Sequence, residues 1–95
     1  MSEKKQLEFS AQSIANIVAI VGHIATDNPG AAKEVESTIF ATAESLENFP
    51  MLGHVGRRAG TRELVINRYP YFIAYRLTSK KVVVLAVMHQ SRKYP

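Results

Sequence analysis

The 95-residue chain has no cysteine. That excludes a disulfide framework, a thiolate metal site and a cysteine nucleophile. No apolar run approaches the ~18 residues a membrane span needs. The opening MSEKKQLEFS has neither the apolar stretch nor the small-residue cleavage site of a signal peptide. A cytoplasmic protein without membrane contact is therefore expected. Histidine is sparse: His23, His54 and His89 stand 31 and 35 residues apart. None of these spacings is the i, i+4 that sets two ligands on one helical face, so no metal site is expected and no cofactor is implied. Acids are scarce in one half only. Residues 1–50 set three lysines against seven acids, a net of −4, whereas residues 51–95 set nine lysines and arginines against Glu63 alone, a net of +8. An acidic partner would dock on the second half. The plainer reading of the overall +4 is a solvated surface that keeps a small protein in solution.

What the chain does have is the composition of one folded domain, 46% hydrophobic and 21% charged, spanning residues 1–95 without room for a second core. Leu7 and Phe9 alternate with polar neighbours as in a short strand. Ser10 is a good N-cap, and Ile14, Ile17, Val18, Val21 and Ile24 follow at helical spacing, which predicts a helix of about 16 residues. Asn28 then caps a second helix with Pro29 at its first position, where the missing N–H costs nothing. Val35, Ile39, Ala43 and Leu46 share one side of it. So short a connection predicts an antiparallel helical hairpin.

Asn48-Phe49-Pro50 ends the hairpin, and Met51 to Gly60, rich in glycine and bearing Arg57-Arg58, reads as a loop. From Thr61 the period changes to two. Arg62 to Ile66, Tyr71 to Leu77 and Lys81 to His89 read as three strands joined by short turns. Val82 to Val87 is apolar on both faces, so the last strand should be central. The expected fold is α+β: a single β-α-α-β-β-β domain with the helical hairpin packed on a twisted antiparallel sheet.

The ordered set Asn28-Pro29 with Ala31-Ala32, Phe49-Pro50 with Gly53, Thr61-Arg62-Glu63-Leu64, Tyr69-Pro70-Tyr71 leading to Tyr75-Arg76, and a closing His89-x-x-Arg92 near Pro95 covers nearly the whole chain. In that order these pieces strongly resemble the ParE/RelE superfamily of toxins from type II toxin–antitoxin, or plasmid-stabilisation, systems, and within it the ParE type. The resemblance implies a cognate antitoxin, ParD-like or RelB-like, whose C-terminal segment wraps the toxin. It implies one of two activities. RelE-like members are ribosome-dependent endoribonucleases that cut messenger RNA; ParE-like members act on DNA gyrase, with indirect contact to its DNA.

Cutting RNA takes a base, an acid and cations at phosphorus. In an ungapped comparison, the RelE-type central-strand arginine falls on Phe72, the two basic residues of the preceding strand fall near Glu63 and Val65, and the last-strand arginine falls near Gln90. Only Tyr94 can stand in for the C-terminal tyrosine. The expectation is therefore a gyrase inhibitor that works by binding, without catalytic residues or a cofactor. Arg57, Arg58, Arg62, Arg76, His89, Arg92 and Lys93 are its candidate target-binding residues. A nuclease would have to use His89 with Arg62, Arg76 or Arg92. Their plainer roles are a strand-end histidine packed on the core and arginines paired with Glu63 or the acidic hairpin. A toxin fold that serves only as an antitoxin partner is the third reading. An acidic antitoxin tail is expected to run over the basic half.

Overall fold

The computed structural model describes residues 4–91. Its elements are β1 (Gln6–Phe9), α1 (Ala11–Asp27), α2 (Pro29–Ser45), β2 (His54–Val55), β3 (Arg62–Val65), β4 (Tyr71–Leu77) and β5 (Lys81–His89). Both helices start where their caps put them. The Ser13 N–H donates to Ser10 Oγ at 3.1 Å, and the Ala31 N–H donates to Asn28 Oδ1 at 3.0 Å, each satisfying one of the orphan donors of a first turn. Pro29 sits at the first position of α2.

The five strands form one sheet in the order β1-β5-β4-β3-β2. β5 lies inside it, as its two-faced apolar run requires. The meander β3-β4-β5 is antiparallel, but β1 pairs with β5 in parallel, Gln6 opposite Lys81 and Phe9 opposite Val84. The sheet is thus mixed, because the chain reaches β5 from β1 through the helical hairpin and the meander. β2 is an addition to the expected order: His54 and Val55 pair with Glu63 and Arg62 at the sheet's edge, inside the segment read as loop.

Ile17, Val35, Ile39, Ala43 and Leu46 of the hairpin and its exit meet Ile73, Tyr75, Val82, Val84 and Val87 of the sheet in one core. The α2 stripe is buried as expected. That of α1 is split: Ile17 is buried, while Ile14 and Val18 remain 41% and 66% exposed. With Val21, Gly22, Glu36 and Phe40 they line a shallow apolar groove of about 330 Å³ between the helices. No helix among the described residues is long and apolar enough to cross a membrane.

Candidate functional site

β1 is shorter than β5, and beyond Val84 the open edge of β5 is taken over by α1. The Ser10 N–H donates to the Val84 carbonyl at 2.9 Å, Ser10 Oγ donates to the Leu85 carbonyl at 3.0 Å, and the Val87 N–H donates to Asn16 Oδ1 at 3.2 Å. These bonds satisfy backbone groups along the edge of β5 where β1 runs out. The register shifts between Ala74 and Tyr75, so that Ala74 opposes Ala86 while Tyr75 opposes Val84, leaving Leu85 as the extra residue.

Beside this junction lies a cleft of about 880 Å³. α1 lines it with Gln12, Asn16, Ala19, Ile20 and His23, and β4 and β5 with Tyr71, Ala74, Leu85, Ala86, Val87, Met88 and His89. Arg58, Thr61 and Ser91 complete it. Its character is an apolar floor with hydrogen-bonding groups around it.

His89 is held at one end of the cleft. Its ring meets that of Tyr71 edge to face, centroids 5.4 Å apart at 83°. The Ser91 backbone N–H, which can only donate, reaches His89 Nδ1 at 3.1 Å, and Ser91 Oγ lies 2.8 Å from the same nitrogen. Nδ1 is therefore an acceptor, and in the neutral ring the proton belongs on Nε2. In this state Nε2 offers a hydrogen bond rather than a lone pair for proton abstraction.

The bulge also decides which groups His89 can join. Simple alternation along β5 groups His89 with Val83, Leu85 and Val87; the observed register groups it with Val87, then Val84 and Val82, on the face shared by Tyr71, Ile73 and Tyr75. Arg76 opposes Val83 on the other face and is exposed. Arg62 is committed elsewhere: Nε and Nη2 donate to the Gly53 carbonyl at 3.0 and 2.6 Å, and Nη2 to the Met51 carbonyl at 3.3 Å. Its partners are backbone carbonyls, whereas the sequence suggested Glu63 or the hairpin acids. Arg57 lies over the Phe72 ring at 5.9 Å, and Arg58 lines the cleft with His89. Among the described candidates, then, only Arg58 and His89 share the cleft. Arg92 and Lys93 lie outside the described residues, as does Tyr94.

Gln12, Asn16, His23, Thr61 and Tyr71 were not expected to share a site. Their signal was present for α1: Gln12, Asn16, Ala19 and His23 recur at helical spacing and mark a second stripe beside the apolar one. Among the described residues no cluster of three histidine or acidic side chains could hold a metal ion.

The chain between α2 and β2 is pinned from below. Tyr75, fully buried, donates its hydroxyl to the Pro50 carbonyl at 2.7 Å and accepts the Gly53 N–H at 2.9 Å. A side chain at Gly53 would come within 2.7 Å of both the Glu63 carbonyl and the Tyr75 hydroxyl, so only glycine fits. Nearby, the Glu63 carboxylate, almost fully buried, accepts the Arg57 backbone N–H at 3.1 Å and lies 3.7 Å from His54 Nε2.

Residues 7–94 match the family described as the ParE toxin of the type II toxin–antitoxin system parDE. Y4kP of Sinorhizobium fredii (strain NBRC 101917 / NGR234), whose name marks it as a candidate toxin, is 34% identical over 92 residues, 97% of this chain and 95% of that protein. The fold is that of a chain from the chromosomal ParDE system of P. aeruginosa, with a TM-score of 0.83, 21% identity and coverage of 93% of this chain and 98% of that one. It is also that of a chain in the RelBE2 toxin–antitoxin complex of Mycobacterium tuberculosis, with a TM-score of 0.64, 21% identity and coverage of 90% and 98%.

Proposed function

The chain belongs to the ParE toxin family of type II toxin–antitoxin systems, and from that membership we propose that it is a cytoplasmic toxin that inhibits DNA gyrase by binding it and is neutralised by a cognate antitoxin. The observation that carries the choice of a binding mechanism is the make-up of the cleft. Strand cleavage needs a base, an acid and cations converging on one phosphorus. Here Ala74, Leu85, Ala86, Val87 and Met88 line the cleft beside Arg58, while Arg62 is tied to the Gly53 carbonyl and Arg76 lies on the face opposite His89. The Nδ1 of His89 is occupied by Ser91. With Arg58 the one lysine or arginine among its lining residues, this apolar-floored cleft does not bring together the groups that phosphodiester turnover needs.

Neutralisation is supported by the two structural relatives, both of which come from toxin–antitoxin systems. The groove bordered by Ile14, Val18, Val21 and Phe40 gives an antitoxin helix an apolar seat, in place of the basic half to which charge alone would direct an acidic tail.

The test pairs two assays on the purified chain. It is expected to block supercoiling by gyrase and to leave translated messenger RNA intact. Messenger RNA cut during translation, with gyrase unaffected, would replace this reading by the nuclease one, for which the shared position of Arg58 and His89 in the cleft is the favouring observation.

A further inference from the structure

Five large apolar side chains stand exposed where the chain enters the sheet and along its outer edge: Phe49, Met51, Leu52, Val55 and Val65, by 65, 63, 56, 74 and 50%. His54 opposes Glu63 and Val55 opposes Arg62, so strand alternation puts Val65 on the face of Glu63 and Val55 on the opposite face with Arg62, while Phe49, Met51 and Leu52 stand in the segment that leads into β2. This patch is not loose loop. Tyr75 and Arg62 pin the backbone of Pro50, Met51 and Gly53 from beneath, which leaves the neighbouring side chains presented at little cost in conformational freedom.

The backbone beside the patch is open as well. β2 ends the sheet. The Gly56 N–H donates inward to the Thr61 carbonyl at 2.8 Å, so strand alternation turns the N–H and C=O of Val55 outward. The outward N–H and C=O of Val55, next to fixed apolar side chains, offer one pair of backbone hydrogen bonds to an added strand, while the Gly53 groups are taken by Tyr75 and Arg62.

Charge selects the occupant. Residues 49–68 carry four arginines against Glu63, a net of +3, and Glu63 is buried. A second copy of this chain would bring the same +3 against it, which opposes an edge-to-edge dimer. The patch is mainly aliphatic, with Phe49 its only aromatic member, and so offers little for stacking nucleic acid bases. The helical groove has the opposite setting, with Glu36 in its lining and Glu34 and Glu44 on the same helix. Two apolar surfaces with opposite electrostatic surroundings fit two partners, which is what a neutralised toxin must accommodate.

We propose that the β2 edge with Met51, Leu52 and Val65 is the target-docking surface, and that its occupant is an extended, acidic and apolar segment of the target protein, added as a strand beside β2. The proposal takes from the preceding section that the chain acts by binding a protein and that the antitoxin seats on the hairpin.

Two variants test it. M51S/L52S removes exposed apolar surface. V55P removes the outward N–H while leaving the inward β2–β3 bonds in place, at a kind of position where an edge strand tolerates proline. Three readouts are taken: growth arrest on induction, supercoiling by purified gyrase, and affinity for the cognate antitoxin. Both variants are expected to melt near the wild-type temperature, to lose about tenfold or more in toxicity and gyrase inhibition, and to bind the antitoxin with unchanged affinity. Growth arrest at wild-type potency by a folded M51S/L52S would overturn the proposal, whatever the target. So would a matching loss of antitoxin affinity, which would give the edge to the antitoxin. If the wild type arrests growth without touching gyrase, the gyrase reading falls, and growth arrest still decides the surface.

Discussion

The hydroxyl of Tyr75 is the residue-scale device on which the region before β2 depends. It is buried and bonded to both Pro50 and Gly53, so Tyr75→Phe strands a carbonyl and an N–H without moving the ring. The expected cost is about 1–3 kcal/mol, read as a lower midpoint in urea unfolding at unchanged slope. Arg68 gives the opposite sign. It has φ 77° in the turn between β3 and β4, a conformation that costs a side-chain-bearing residue ~1–2 kcal/mol, against the ~0.5–1 kcal/mol that glycine loses in chain entropy. Arg68→Gly should therefore stabilise by about 0.5–1 kcal/mol, seen as a higher melting temperature. Neither role was legible in the sequence. A strand tyrosine reads as packing, and the partners of its hydroxyl lie 22 and 25 positions away. His89 was legible as the residue to watch, but not its face, because a one-residue bulge leaves no signature in an apolar run such as Val82–Val87.

At the scale of elements, α1 serves two purposes: one side covers the core, and its first turns complete the edge of β5 beyond β1. Asn16→Ala removes the acceptor of the Val87 N–H in a part-buried position, and about 1 kcal/mol of stability should go with it. Amide hydrogen exchange should also speed up at Val87 ahead of the rest of β5. Protection unchanged there would mean that water replaces the side chain without loss. The long periodic elements were readable because their signals are local: capping by Ser10 and Asn28, the α2 stripe, and the limits of β4 and β5 all appear where the residues put them. β2 was not readable. A two-residue strand has no periodicity, and its pairing comes from the register of β3 and the anchors at Gly53. The exposure of Ile14 and Val18 was misjudged for a related reason: periodicity counts apolar residues on a face without telling how wide a face the sheet covers. Val18→Asp therefore touches no core contact. It should leave the melting temperature almost unchanged and weaken antitoxin binding about tenfold or more, measured by titration calorimetry.

For the whole molecule, folding turns a division along the sequence into a division in space. The helical hairpin carries Asp27, Glu34, Glu36 and Glu44 with Lys33 as its only strong base, while Arg57, Arg58, Arg62, Arg68 and Arg76 are carried by the sheet and its loops. A polarised protein orients as it approaches an acidic partner, and this acts on the rate of encounter more than on the lifetime of the complex. Going from about 0.01 to about 0.1 M ionic strength shortens the screening length from about 30 to about 10 Å, less than the span of the domain. The association rate with the target should then fall severalfold, while the dissociation rate, set by the buried apolar contacts of the docking edge, changes little. Surface-binding kinetics at several salt concentrations separate the two. On its proposed seat, the acidic hairpin and its apolar groove, the antitoxin should respond differently: if its binding segment is uncharged, its association rate should be nearly flat over the same range. An association rate with the target that ignores salt would mean that the arginines of the sheet half take no part in finding it, and the partner would then have to be sought by apolar complementarity alone.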